Sequence, residues 1–485
     1  MSWESRLDAI FGAFNDRMEP ILFADWGTGI PLILLVLLFG GIGYTLRFGF
    51  VHIRLFRHGI DCIRGHYDDP DAPGEISHFG ALTAALSATL GLGNIAGVAV
   101  AIAAGGPGAI FWMWLVAFFG MTLKFASSTL AQLYRHVDDR GHVLGGPMVY
   151  LRVGIRERYP QLGWLGAALG VLYAALCIPA ALGAGTLFQG KMSFEIAAEV
   201  IPSLGANASA EWIVGGLYGV IVGVVIIGGI RRIGEVTTRL VPTMCLFYAG
   251  ICLLVIVMNL GKVPALLAQI VGQAFSPEAA YGGFLGVFIQ GVRRAAFSNE
   301  AGMGSASIAH AAARTDEPVR EGVVAMLGPF IDTMVVCTLT ALTILLTGVA
   351  EPGQAMNWTE GAVLTARAFG TLHAAAEYLL VTAVFIFAYS TMIAWSYYGE
   401  RAAEFLFGKA GVMPFRFVYV AFTVIGPVLS VTNVLDFADY MFLALAFPNL
   451  IGMIFLAGTL AEKKDDYIAR LRSGEIRPLG RRSAN

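Results

Sequence analysis

Residues 89–98 read TLGLGNIAGV and place Gly91, Gly93, Asn94 and Gly97 in the middle of an apolar run long enough to cross a bilayer. Glycine costs a helix interior about 1 kcal/mol relative to alanine, and an amide in hydrocarbon is costly unless it is hydrogen-bonded. Gly93 and Gly97 could form a GxxxG packing seam. The alternative is that the helix opens here, and Asn94 between the glycines favours it. Unwound backbone at membrane depth is stable only where it lines a protein-enclosed cavity. There the freed N–H groups can hold a carboxylate and the freed carbonyls a cation. The spacing GxGxxxG, with no soluble βαβ unit around it, does not match a dinucleotide fingerprint.

A second candidate is FAYSTMIAWSYYGE, which puts Phe387, Ser390 and Thr391 at i, i+3 and i+4 on one helical face. Two hydroxyls and a carbonyl on one face suit a hard cation, although such hydroxyls also bond back to their own helix. Trp395 lies one turn further on that face, either as the wall of a small pocket or as an interfacial belt residue. Of the carboxylates in or near the apolar runs, Glu300, Asp332, Asp436 and Asp439 are the candidates. An intramembrane carboxylate is a functional candidate by default. Asp332 could serve a proton or a cation, or pair with Arg293 or Arg294, whereas Glu300 suits the end of its own helix. His78 and His310 stand alone near span ends, and their surroundings in sequence assign them no role.

The elements that must carry these residues are helices in a membrane. Of 485 residues, 57% are hydrophobic and 14% charged, with a mean hydropathy of +0.70, against about 25% charged in soluble proteins. Apolar runs fall at 27–46, 78–104, 108–134, 164–190, 212–230, 240–260, 282–298, 321–349, 375–398, 416–433 and 438–460. This predicts an all-α polytopic membrane protein with about eleven transmembrane helices. Alternate loops carry twenty-six Lys and Arg on one side, with Arg293 and Arg294 counted beside Arg314 and Arg320 in the loop that follows 282–298, and five on the other, with Lys124 near the end of a span. That bias puts the N-terminus outside and the C-terminus in the cytoplasm. The first twenty residues lack a signal-peptide layout. A net charge of −2 gives no sign of a nucleic-acid partner, and the five scattered cysteines, without a CxxC pair, read as apolar filler.

With the first span set aside, ten remain, and they divide as five plus five. The expected organisation is 1–77 as an N-terminal segment with an extra span, 78–260 and 261–460 as two five-helix repeats, and 461–485 as a basic tail. The first span of each half, the first and sixth of the core, is Gly-rich and polar, GLGNIAG and FSNEAGMGSA. Paired interrupted helices in two halves of opposite orientation point to an inverted-repeat transporter.

The chain resembles the sodium:alanine or glycine symporters nearly end to end. The resemblance runs from GEISHFGALTAAL through GLGNIAGVAVAIAAGGPGAIFWMW and GGPMVYL to FSNEAGMGSASIAHAA, LGPFIDTMVVCT and STMIAWSYYGE. It implies that the substrate carboxylate meets backbone amides at Leu92 and Gly93, next to Thr89 and Gly91. It implies one co-transported sodium ion at Asn94 and the Thr89 carbonyl. A second would lie between the carbonyls of Ser87 and Leu90 and the Phe387, Ser390, Thr391 face. Gln290 and Gly291 would mark the interruption of the seventh span and close the other wall, with Trp395 facing the substrate side chain. Two positions depart from the family pattern: Leu92 stands where a threonine is more usual, and Gly80 where a glutamine is common, leaving more room. The expected function is sodium-coupled symport of a small neutral amino acid into the cell across the cell membrane. The alternatives are proton coupling through Asp332 or, less in keeping with a dead-end site, a channel. No metalloprotease motif, Cys/His metal cluster or Ser/His/Asp set suggests an enzyme.

Overall fold

The computed structural model describes residues 3–275, 283–350, 356, 358–373, 375–429 and 432–479. Arg481 and Arg482 of the basic tail lie outside them. Nearly all the described chain is helical; the strands among the described residues are His136–Val137 and Val143–Leu144, which pair antiparallel. Each expected apolar run overlaps a helix among the described residues. Among those residues seven helices are long and apolar enough to cross a membrane, and eight if the bent pair His78–Thr89 and Leu92–Gly105 counts as one span. Helix Leu32–Arg47 is apolar but shorter, with 16 residues, and Val412–Ile425 has 14. Val220, Val224, Leu246 and Leu254 are all more than half exposed, an outer apolar surface that suits lipid.

Helix Gly108–Leu133 packs against Leu32–Arg47, Gly283–Asn299 and Pro318–Ala325. The last contact is close enough that a Cβ on Gly322 would lie 2.0 Å from Thr129 Oγ1. Helix Ala375–Phe407 packs against Gly163–Leu182, Phe188–Val200, Gly229–Met258 and His78–Thr89. These two long helices hold the two interrupted ones in place.

The first interruption lies where the glycines and Asn94 predict it. Ser77 caps helix His78–Thr89, its Oγ accepting from the Gly80 N–H at 3.1 Å, a contact that contributes about 1 kcal/mol. At Leu90 and Gly91 the backbone leaves helical geometry, and the axis turns by 63° before Leu92–Gly105. The second interruption differs from expectation. Gln290 and Gly291 lie inside the continuous helix Gly283–Asn299, and Gly291 serves close packing, since a Cβ there would sit 2.6 Å from the Ala109 carbonyl oxygen. The break comes about three turns later, between Asn299 and Ala306. Glu300, Gly302 and Gly304 take φ of +55°, +90° and +82°, and no regular helix continues through a run of left-handed residues.

Arg293 and Arg294 also differ from expectation. They precede that break, inside helix Gly283–Asn299, rather than in the arginine-rich loop where the charge count placed them. Arg293 Nη2 pairs with Asp439 Oδ2 at 2.5 Å, and the Arg294 guanidinium stacks 4.2 Å from the Trp358 ring. Neither reaches Asp332. The arginine-rich face keeps Arg135, Arg231 and Arg314, and a vestibule of ≈ 470 Å³ opens beside the last two, bounded by Ser77, Gly80 and Thr238.

Candidate functional site

Leu90 to Asn94 cross the centre of the molecule with little helical bonding of their own, and the side chain of Asn94 fixes their shape. Asn94 Oδ1 accepts from the Gly91 N–H at 3.0 Å. Its Nδ2 reaches outward to Asp332 Oδ1 at 2.7 Å and Ser298 Oγ at 3.1 Å. Ser298 and Thr333 hydroxyls donate to Asp332 Oδ2 at 2.6 and 2.7 Å. All four side chains are fully buried. Asp332 therefore resolves one alternative left by the sequence, since its partners are an amide and two hydroxyls rather than an arginine. A carboxylate and two hydroxyls are hard oxygen ligands of the kind that an alkali or alkaline-earth cation takes, while the Asn94 amide turns its N–H side to them.

The hydroxyl face lies on the other side of the opened segment. Ser87 Oγ lies 2.7 Å from the Ser390 carbonyl oxygen and 2.6 Å from Ser390 Oγ. Thr391 Oγ1 donates to the Phe387 carbonyl at 3.0 Å and lies 3.5 Å from that of Leu90. Six oxygens, from two segments some three hundred residues apart in sequence, thus converge. Thr391 does bond back to its own turn, as hydroxyls in spans do, and it also points across at the broken helix.

A small cavity lies beside the opened segment and Thr391 of the hydroxyl face. Its empty volume is ≈ 300 Å³, of which ≈ 20 Å³ is open to the centre of a water molecule, room for about one or two waters in this conformation. Of the expected site residues, Thr89, Gly91, Gly93, Thr391 and Trp395 line it. Trp395 is 2% exposed, so it is a pocket wall and not a belt residue. Leu92 is buried but does not border the cavity. Neither do Gln290 and Gly291, which the break further along displaces from the wall. Gly80 faces the vestibule, so the room left by its missing side chain lies there and not at the cavity.

Among the lining residues that escaped the sequence reading are Gln189, Phe297 and Phe442 as site residues altogether, and Glu300 as more than a helix end. Gln189 Nε2 donates to the Ala184 carbonyl at 3.2 Å, while its Oε1 is buried without a partner. That is an acceptor aimed at the cavity. Glu300 accepts from the Ser305 hydroxyl, which bridges the second break and holds the carboxylate at the cavity edge. It does pin the end of its helix, and it borders the site as well.

Two of the supporting helices are themselves irregular. A π-helical turn at Gly183–Leu187 precedes Gln189, and another at Phe330–Cys337 carries Asp332 and Thr333. Such turns are rare and frequent at functional sites. The only signal for Gln189 in the sequence is one amide in an apolar run beside three small residues.

The sequence profile of the sodium:alanine symporter family matches residues 18–479. The chain belongs to that family. It is similar to the sodium/alanine symporter AgcS of Methanococcus maripaludis, 42% identical over 440 residues covering 90% of this chain and 94% of the relative. It is also similar to GlnT of Bacillus subtilis, described as a probable sodium/glutamine symporter, at 34% identity over 473 residues, 97% of this chain and 92% of the relative. Among solved structures it resembles MhsT in complex with L-phenylalanine, with a TM-score of 0.59 at 14% identity over 81% of this chain and 93% of that one. That likeness is one of fold. The family is one of multi-pass membrane transporters, not of enzymes.

Proposed function

We propose that the chain imports a small neutral amino acid by sodium-coupled symport, with the arginine-rich face in the cytoplasm. One observation carries the reading: a small cavity is bordered by an opened helix, by Thr391 of the hydroxyl face and by the orphaned acceptor of Gln189, and Asn94 ties that opened helix to Asp332. The Gly91 N–H is taken by Asn94, and the N–H groups that follow it, up to Gly93 at the cavity, suit the carboxylate of the cargo. Gln189 Oε1 and the Glu300 carboxylate suit its ammonium group. Asn94 links the opened segment to Asp332, so the ion at this cluster and the cargo would stabilise the same backbone conformation, and their affinities would rise together. Phe297, Trp395 and Phe442 leave little room for a long side chain, which supports alanine or glycine as cargo over glutamine. Two halves of five helices, related by inverted topology, would alternate access to this site.

The buried carboxylate of Asp332 also favours a second reading, in which a proton takes the place of the sodium ion at that cluster. Proteoliposomes with sodium and proton gradients imposed separately decide between them. Saturable uptake of radiolabelled alanine should follow an inward sodium gradient and be indifferent to a proton gradient alone. Uptake driven by protons in sodium-free medium would favour the second reading, and a substrate-independent ohmic current would overturn both.

A further inference from the structure

One ionisable cluster takes no part in the site just described. Glu321 lies between two imidazoles: its Oε1 is 2.5 Å from His310 Nδ1, and its Oε2 makes a short contact with His78 Nδ1. All three side chains are at most 1% exposed. His78 is the first residue of the first broken helix, and His310 sits on Ala306–Ala311, the second segment of the other. One carboxylate therefore ties both broken helices together at the arginine-rich face. On the far side of the ring, His78 Nε2 faces Asp68 Oδ1 at 4.0 Å. Both of these atoms are buried and neither has a hydrogen-bond partner.

Counting protons shows what is missing. The two contacts to Glu321 need one proton each. With only those two, both imidazoles carry their proton on Nδ1, and His78 Nε2 is a bare acceptor facing the carboxylate of Asp68. Two buried acceptors pointing at each other repel. A third proton removes the conflict however the three are shared among the groups. We propose that His78 binds this proton between Glu321 and Asp68, and that the proton fastens the two broken helices to each other at the arginine-rich face.

The neighbours do not supply it. Arg135 approaches from the end of Gly108–Leu133, but its Nη1 is engaged by the Ala311 and Ala313 carbonyls at 2.7 and 2.5 Å. Arg320, beside Glu321, points its Nη1 to the Tyr67 carbonyl at 3.3 Å. On the short helix Phe56–Ile63, His58 is held by the Tyr467 hydroxyl at 2.7 Å and Cys62 lies against His58, while Asp61 faces His66 at 3.8 Å. Both Nδ1 atoms lie at hydrogen-bond distance from Glu321, which leaves space between them for a proton and none for a metal ion. Access is short, because Ser77, next to His78, lines the open vestibule and Asp68 is 37% exposed.

Hydrogen exchange of the full-length protein in lipid nanodiscs tests this without reference to any cargo. Peptides over 68–80 and 306–316 are followed at about pH 6 and about pH 8, where an imidazole changes charge, and corrected for intrinsic exchange. Both segments should exchange about tenfold faster at the higher pH, the scale of one hydrogen bond to an ionised group. His78→Gln and Asp68→Asn each place an amide donor in the gap and should abolish the difference. Should His78→Gln not purify, Asp68→Asn at a partly exposed loop position carries the comparison. A pH-independent wild type, or a variant that keeps the wild-type ratio, overturns the proposal.

Discussion

Gly91→Ala is the sharpest test of the opened helix. The backbone at Gly91 has φ −135° and ψ −155°, an extended conformation open to any L-residue, so alanine brings no backbone strain. Its Cβ would lie 2.8 Å from Thr391 Oγ1 and 3.5 Å from Gln189 Oε1. The first distance is too short for a carbon and an oxygen, and something must yield. Rotating Thr391 away removes its hydroxyl from the face that also holds Ser87 and Ser390; shifting the opened segment moves the amides at the cavity. Overpacking of this kind costs about 1–3 kcal/mol, or about five- to 150-fold in an equilibrium constant. The sodium concentration for half-maximal uptake, measured from initial rates in proteoliposomes, should rise within that range while the purified yield stays normal. The companion variant Gly91→Ala/Thr391→Ala removes the clashing hydroxyl and should be no worse than Thr391→Ala alone, because the two changes share one contact. Wild-type sodium dependence in Gly91→Ala, or simple additivity in the double variant, would refute this assignment of the opened segment.

Asp332→Asn keeps the shape of the side chain and removes its charge; half-saturation by sodium should rise at least about tenfold, the difference between a charged and a neutral ligand, and an unchanged sodium curve would make Asp332 a scaffold only. Ser390→Ala/Thr391→Ala deletes two oxygens but keeps good helix formers, so thermal stability should hold while the sodium requirement rises; overlaying sodium curves would mean that the hydroxyls only bond back to their helix. His58 gives a pH prediction about stability: burial pushes its pKa down to about 4, from 6.5 for an exposed imidazole. The folded state then binds fewer protons than the unfolded one between those values. The stabilisation is complete above pH 6.5 and is lost as pH falls towards 4, by up to about 1.4 kcal/mol per pH unit. Thermal unfolding in detergent from about pH 7 to about pH 4.5 should show that decline, and His58→Gln should flatten it.

Some of this architecture was legible because local rules are violated conspicuously. An asparagine among glycines in an apolar run fits an opened helix far better than a regular one, and the i, i+3, i+4 spacing of Phe387, Ser390 and Thr391 holds in a helix that stays regular through all three. The second break shows where such reading stops. FSNEAGMGSA stood out as polar and glycine-rich, but Gln290 and Gly291 were as conspicuous, one a buried amide and the other a glycine. Only the packing of Gly291 against Ala109, and the left-handed backbone at Glu300, Gly302 and Gly304, separates a close contact from an interruption. Arg293 and Arg294 misled for a related reason: an arginine in a span looks like a loop residue until its partners, Asp439 and the Trp358 ring, are known.

Gln189 and Asp332 illustrate a deeper limit. In a regular helix every interior N–H and carbonyl is already bonded, so a membrane helix has no backbone left for cargo or ion unless its geometry changes. Here four helical segments change it around one cavity: two by opening, at Leu90–Gly91 and at Glu300–Ser305, and two by π-helical turns at Gly183–Leu187 and Phe330–Cys337. An opening can be read from glycine and a misplaced polar residue. A π-helical turn adds about one residue to a turn and rotates everything after it, and GAGTL or FIDTMVVC contains no residue that demands it. The turn is selected by what it aims, Gln189 in one case and the Asp332–Thr333 pair in the other, and both targets are defined only by the partner helices. The residues that sequence patterns reveal are therefore those that break a helix, while the residues that a helix turns aside to present come into view only with the fold.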